Sequence, residues 1–348
     1  MVGGAGPSTA SLHGALREPI ARIQRALTQA QTELSTGRHA DLGPTLGARA
    51  GAADALHQAR DRLDVLTQTN ALATTRLGAT QDALGSILQT AQDLQKTVVA
   101  ALNGGGDAAA LAASAKAGFA GIAATLNTSV AGQYVFAGVD TDSAPLADNG
   151  ASGLQAITDA FRAAFGVDPS DPAASAVSAA DMRGFLHGAV ASSFTPSGWR
   201  AQWSSASDEA ITSRISPTRN AATSVSANEA SLREVAQAFA ALAQLGSPTL
   251  AADTRGALLT QASGLLGDAI SGVAALQSRV GLTQTGVREA TDDAAKRQGI
   301  LSVQIGAMEE IDPAEVSTRI STLTTQLEAA YSLTARISQL SLVRFLST

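Results

Sequence analysis

The 348-residue chain has no cysteine, which excludes disulfides, thiolate nucleophiles and most structural zinc sites together and fits an exported protein. Aromatic residues make up 3% and charged residues 16%, a texture that suits long helices packed through small side chains better than an enzyme core with aromatic pockets. There is no basic excess either. With 24 basic against 30 acidic residues the net charge is -6, so no phosphate-binding face is expected and nucleic acid is not an expected partner. No segment approaches the roughly 20 apolar residues that span a bilayer, so membrane insertion is not expected. Met1 to Leu12 holds neither a basic residue nor a long apolar run, and no cleaved secretory signal is visible. Export of such a chain needs a route that does without one.

Constellations that carry chemistry are equally scarce. Of His13, His39, His57 and His187, only His39 has a carboxylate, Asp41, at a spacing typical of a metal site, and both fall in an expected loop. Such histidines read as solvated. Gly3, Gly4, Gly6 and Gly104 to Gly106 are not followed by the Lys and Ser/Thr of a phosphate loop, and no strand precedes them as a dinucleotide site requires. No serine stands in a Gly-x-Ser-x-Gly setting. Asp140, Asp142 and Ser143 read as a turn, because the glycine and distal glutamate of a calcium loop are missing. No catalytic, cofactor-binding or metal-ligating residue is therefore expected. An enzyme would need a hidden pocket beside Trp199, in the insert described below.

What the chain does have is periodicity. Its 45% hydrophobic content, much of it alanine, is arranged in heptads. From Ile311 the pattern predicts a helix with Asp312 as N-cap, Pro313 as first helical residue, Glu315 as the capping-box partner, and Ile311 with Val316 as a hydrophobic staple. Val316, Ile320, Leu323, Leu327, Ala330, Thr334 and Ile337 then follow at alternating steps of four and three, the spacing that keeps one seam toward a partner helix. Leu340, Leu342, Val343, Phe345 and Leu346 surround the last turns, so one partner helix does not suffice to cover them.

The N-terminal part follows the same grammar. Residues 1 to 14 are expected to lack fixed structure, with Pro19 in the first turn of a helix whose seam is Leu16, Ile20, Ile23, Leu27, Ala30 and Leu34. Gly37 stops it, and a connector follows over Asp41 to Gly51. Leu56, Leu63, Asn70, Leu77, Leu84, Ala91 and Val98 then fall seven apart, with Leu66, Ala73, Thr80, Ile87, Leu94 and Ala101 between them. Internal bundle contact and intermolecular contact both account for this rod, and Asn70 reads as a register-fixing polar residue or a local defect. Gly104 to Gly106 end it, and Ala108 to Val130 reads as an alanine-rich helix returning antiparallel.

Tyr134, Val135 and Phe136, between Gly132 and Gly138, predict a hairpin. From about Ala147 to Ala222 the heptads vanish, and both tryptophans with Phe161, Phe165, Phe185 and Phe194 predict a separate knob with its own core. Helical periodicity returns at Asn228, with Val273, Val280 and Val287 one heptad apart. The expected fold is mainly α: a long antiparallel helical rod of coiled-coil type made from N- and C-terminal segments, with a β-hairpin and a small α+β inserted domain. The expected divisions are a flexible leader at 1–14, an assembly helix at 15–40, a rod with hairpin at 41–146, an inserted surface domain at 147–226, a returning rod at 227–310 and a second assembly helix at 311–348. Regular seams at chain ends, where ordinary domains fray, mark Leu16, Ile20, Ile23, Leu27, Leu34, Val316, Ile320, Leu323, Leu327, Ile337, Leu340, Leu342, Phe345 and Leu346 as an assembly interface. These ends are expected to stay loose until neighbouring subunits bury them.

Four stretches carry a family resemblance in consistent order. They are Glu33-Leu-Ser-Thr-Gly-Arg38; Gly132-Gln-Tyr-Val-Phe-Ala-Gly138 with Pro145-Leu146; Trp203-Ser-Ser-Ala-Ser207 through Ser213-Arg-Ile-Ser216 to Ser226-Ala-Asn-Glu229; and Gln326-Leu-Glu-Ala-Ala-Tyr331 with Ser338-Gln-Leu-Ser-Leu-Val-Arg-Phe-Leu346. Together they resemble bacterial flagellins, and most closely the hook-associated protein 3 branch, alphaproteobacterial type, that joins hook to filament. The resemblance implies an exported structural subunit of the extracellular flagellum, its paired terminal helices in the inner tube wall and its knob on the surface. It implies self-association, a position between another hook-associated protein and flagellin, and export by the flagellar type III apparatus with a chaperone. Flagellin itself is the alternative within this class; a longer leader and the missing Asn-rich start favour the junction role. From a different class, a helical signalling or adhesion ectodomain would dimerise through the rod, and it predicts an anchor or output domain that the sequence does not show.

Overall fold

The computed structural model describes residues 9–346, with side chains described from 17 to 336 except at 149. In chain order the elements are α1 (Thr9–Thr36), α2 (Leu42–Leu46), α3 (Ala50–Leu102), α4 (Ala108–Leu126), β1 (Ser129–Val130), β2 (Gln133–Tyr134), α5 (Ala151–Phe165), α6 (Ala179–Phe185), α7 (Ala191–Ser193), α8 (Pro196–Gln202), β3 (Thr212–Ser216), β4 (Arg219–Ala222), α9 (Ala230–Leu245), α10 (Ala252–Glu309) and α11 (Pro313–Leu346). The fold is mainly α, with two small antiparallel hairpins. The chain forms two compact units. One spans residues 65–295, and the other joins the two ends, up to Asp64 and from Lys296.

In the unit 65–295 the heptads of α3 face inward. Asn70, Ala73, Leu77, Thr80, Leu84, Ile87, Ala91, Leu94 and Val98 are all buried, which makes this part of the seam an internal contact. On α10, Leu266, Ala269, Val273, Leu276 and Val280 are buried at the same steps of three and four, with Val287 one heptad further on. The two helices run antiparallel: Gln95 Nε2 donates to the Ser263 carbonyl at 3.4 Å, and Gln277 lies beside Gly85.

Helix α4, entered through Gly104 and Gly106 at positive φ and capped by Asp107, packs antiparallel on α9. Gly118 leaves the space that the Phe239 ring fills, where an added Cβ would lie 2.3 Å from the ring. At 19 residues α4 is long and apolar enough, by length and composition, to cross a bilayer, contrary to the sequence expectation that no segment is. Its apolar positions are spent otherwise, because Leu111, Ala115, Phe119, Ile122, Ala123 and Leu126 are buried within the protein.

The aromatic insert does not build the separate core predicted for it. Its rings join those of the bundle: Trp203 stands 5.6 Å from Phe119 of α4 and stacks on Trp199 at 5.8 Å, and a single apolar cluster extends from Phe161 and Trp199 to Phe239. Small residues on α4 leave room for these rings, and Gly153 sits directly against Trp203.

Both hairpins are set by local chemistry. In β1–β2 the turn residues Ala131 and Gly132 both have positive φ, the conformation that matches the twist of a tight hairpin. In β3–β4 the ladder skips between Arg214 and Ser216, and the carbonyl of Ile215 accepts from Asn70 Nδ2 at 3.0 Å. Asn70 therefore serves a strand bulge, and does not set register against a facing helix.

In the unit of the two ends, α1 starts at Thr9, so Pro19 lies inside the helix and the helical backbone includes residues 9–14, which the sequence suggested were unstructured. Pro19 is exposed, so its missing N–H removes one ladder bond without burying an unpaired group. Gly37, at φ 71°, ends α1 by donating to the Glu33 carbonyl at 2.8 Å. At the start of α11, Asp312 accepts from Ala314 N at 2.8 Å, with Pro313 following it. Glu315 does not close the expected capping box; it receives Arg319 at 3.0 Å.

Two measurements test this packing. Asn70→Ala leaves the buried Ile215 carbonyl without its donor and should cost about 1–3 kcal/mol in denaturant unfolding; an unchanged midpoint would show that the bulge does not depend on it. On α9, burial first and the neighbouring Asp268 second hold the Glu234 carboxyl above its ordinary range, against the opposing pull of Arg233. The folded state then binds this proton more tightly than the unfolded chain does, so stability falls as pH rises from the ordinary carboxyl range through the raised value. Glu234→Gln should raise the thermal midpoint at pH 7 and lose that advantage in acid, as followed by circular dichroism.

Candidate assembly interface

Helices α1 and α11 pack on each other in antiparallel fashion. Gln24 Nε2 donates to Tyr331 Oη at 2.8 Å toward one end, and Arg319 Nη1 donates to Glu33 Oε2 at 3.1 Å toward the other. Between these contacts the two predicted seams meet. Val316 is 1% exposed, while Ile320, Leu323 and Leu327 on α11 and Ile20, Ile23 and Leu27 on α1 are half-buried. Among the described residues each seam covers the other from one side and leaves its flank half-exposed. Leu34, by contrast, is 41% exposed; Ala30 and Glu33 take the inward positions at that end of α1. The side chains of Leu16, Ile337, Leu340, Leu342, Phe345 and Leu346 lie outside the described residues.

Over residues 320–327 the faces of α11 beside the seam are uncharged. From Ile320 to Leu327 no residue is ionisable, and the hydroxyls of Ser321, Thr322, Thr324 and Thr325 each donate to the carbonyl four residues back. Their donors are thus satisfied within the helix, which leaves a low-relief surface of methyl and methylene groups. A helix face meant for water usually carries charge there.

At the base of the pair lies a cluster that the sequence reading missed. Glu33 and Glu309 are each 2% exposed. Glu33 accepts from Arg319, from the Ala40 amide at 3.3 Å, and lies 4.0 Å from His39 Nδ1. Glu309 is 2.6 Å from His57 Nε2 and accepts from Arg38 Nη1 at 3.3 Å. The connectors themselves are tied: the His39 amide donates to the Glu309 carbonyl at 2.9 Å and the Ile311 amide to the Gly37 carbonyl at 3.1 Å. His39, read as a solvated loop residue from sequence, is half-buried beside Glu33, and His57 is half-buried beside Glu309, because residues distant in the chain converge there. The signal was present in Glu33, an acid at an inward position of an apolar seam.

No comparable constellation for catalysis forms among the described residues. A cavity of about 290 Å3 is lined by Gly104, Asp107, Leu111, Arg255 and Leu258, and there Arg255 meets only the Pro248 carbonyl at 3.5 Å. A groove of about 490 Å3 carries Arg162, already paired with Asp159 and Asp168. Trp199 is enclosed by Phe194 and Trp203, and neither indole N–H finds an acceptor among the described residues, so polar groups do not converge beside it.

Comparison with known proteins agrees with this architecture. Residues 8–141 match the bacterial flagellin N-terminal helical region, and residues 264–346 match the bacterial flagellin C-terminal helical region. No curated protein matches the chain in sequence. Among solved structures, a putative flagellar hook-associated protein from Vibrio parahaemolyticus is similar at TM-score 0.52 and 10% identity, over 75% of this chain and 97% of that one. FlgL from Bacillus cereus is similar at TM-score 0.50 and 11% identity, over 72% of this chain and 99% of that one. Those likenesses establish the fold, and the two matched regions, which together span more than half of the sequence and hold α1 and α11, establish the rest: this chain belongs to the bacterial flagellin family.

Proposed function

We propose that the chain is a structural subunit of the bacterial flagellum that joins hook to filament, assembled through α1 and α11. The half-covered seam carries this reading. Full burial of a Leu or Ile contributes about 1.5–3 kcal/mol, so each half-buried seam residue still holds roughly half of that for a neighbour to recover. Ile20, Ile23, Leu27, Ile320, Leu323 and Leu327 together supply enough to favour association after ordering costs. Leu34, exposed in the free subunit, joins them on assembly, as do Leu16, Ile337, Leu340, Leu342, Phe345 and Leu346. The uncharged flanks of α11 let further helices approach without desolvating ions.

On this reading the partners are sister subunits, flagellin on one side and another hook-associated protein on the other, with an export chaperone before assembly. The subunit works outside the cell. Segments 15–40 and 311–348 are the assembly helices, 41–146 and 227–310 the outgoing and returning helical parts, and 147–226 the surface-exposed insert. It turns over no substrate. One of the similar solved structures is described as a flagellar hook-associated protein, which favours the junction role over that of filament subunit.

Leu327→Asp places a charge in the seam and should abolish incorporation and motility, while the near-ultraviolet signal of Trp199 and Trp203 stays as in the wild type. Normal swimming with an attached filament in that strain would sink the proposal. Purified protein that grows long filaments unaided would instead assign it to the filament, and immunogold at the hook boundary checks the position directly.

A further inference from the structure

Within the unit 65–295 the arginines Arg162, Arg200 and Arg279 all hold carboxylates. Two arginines at the turn of the β3–β4 hairpin do not. Arg214 and Arg219 are exposed, and each donates only to a backbone carbonyl, Arg214 to Pro217 in its own turn and Arg219 to Gly286 of α10. The open end of the same hairpin carries the opposite charge. There the Ser207 amide donates to the Ala137 carbonyl at 3.0 Å, and a Cβ added at Gly138 would lie 2.7 Å from the Glu209 carbonyl, so the loop after Gly138 lies against the segment that leads into β3. Asp140 and Asp142 in that loop are exposed, as is Glu209, and among the described residues none of the three meets a cation. Each end also has an apolar neighbour in water. Val139 in the acidic loop is 44% exposed, and Leu282, one helical turn from Gly286, is 76% exposed.

Extended chain rises about 3.3 Å per residue, so the path from Glu209 to Arg214 alone holds the two charged ends roughly 15 Å apart and the hairpin does not neutralise itself. It is complementary to a second copy shifted along it. We infer that the basic turn of one subunit docks against the acidic open end of a neighbouring copy, with Leu282 and Val139 in the contact. Such a contact is heterologous, and it repeats from subunit to subunit in one direction. Turn against turn, or open end against open end, sets like charges together, so the reversed arrangement is repelled. Exposed ion pairs hold weakly and serve to orient. The hairpin therefore sets the polarity of the array, and the apolar seams supply the energy that keeps it together. This inference rests on the self-association proposed above and adds a contact remote in the chain from α1 and α11.

The chain has no cysteine, so introduced thiols report this contact alone. In flagella from cells that make the variant alongside the wild type, a chain with both Arg219→Cys and Asp140→Cys should form disulfide-linked dimers and higher multimers on mild oxidation. Either substitution alone should form none, because a turn never meets another turn. Absence of linked species from the double variant overturns the inference, and so do dimers of a single one. Charge reversal gives a second readout: Arg214→Glu with Arg219→Glu should lower incorporation roughly tenfold, and addition of Asp140→Lys and Asp142→Lys should restore it to within about twofold of the wild type. Unchanged incorporation in the first variant, or no recovery in the second with its tryptophan signal intact, refutes the contact; if that signal is lost, the thiols decide. Failure of these tests while Leu327→Asp still blocks incorporation strikes the hairpin contact alone, whereas linked multimers with normal incorporation of Leu327→Asp strike the seam and leave the hairpin.

Discussion

A heptad seam is a strip about one helix wide, and the number of neighbours determines how much of it leaves water. This chain writes the same strip twice with different company. Between Asn70 and Val98, α3 has α10 opposite and the α4–α9 pair and the β3–β4 hairpin close by, and each seam position is buried. Among the described residues of α1 and α11 the two strips face each other, and Ile20, Ile23, Leu27, Ile320, Leu323 and Leu327 stay half-buried. One motif becomes a finished core in the first place and an unfinished one in the second.

That difference explains which parts of the molecule were legible in sequence. Periodicity is local, so the seams of α3, α10 and α11, the stop at Gly37 and the cap at Asp312 could be read directly. Partners are not local. Asn70 was recognised as unusual, but its acceptor, Ile215, lies far along the chain in a bulge that no period announces. His57 and Glu309 likewise mean nothing until α3 and α10 bring them together. Pro19 misled for a simpler reason, since a solvent-facing proline costs a helix one hydrogen bond and need not mark its start.

The insert shows a third kind of failure. Its tryptophans and phenylalanines looked like a self-contained core because they cluster in sequence, yet Phe119 and Phe239 of the flanking helices complete the cluster. Alanine and glycine on α4 are what make this possible: Gly118 admits the Phe239 ring, and the low bulk of the helix lets large rings pack close to its axis. The scarcity of aromatics elsewhere follows from the same economy of space. Long helices that touch through alanine need few large side chains, and those present are gathered where the regular packing ends.

On the proposed assembly the chain ends face conflicting demands, since they must be apolar enough to be buried by neighbours and yet ordered enough to be recognised. Charge resolves the conflict at the base of α1 and α11. An ion cluster is strong only when its geometry is held, so it orders the connectors without adding apolar surface that would stick before its time. The serines and threonines along α11 resolve it farther out, because hydroxyls bonded to their own helix are soluble while exposed and undemanding once covered. The residues that looked least informative in sequence, scattered acids and small hydroxyls, thus surround the half-covered seam, and on the proposed assembly they keep it manageable until neighbours cover it.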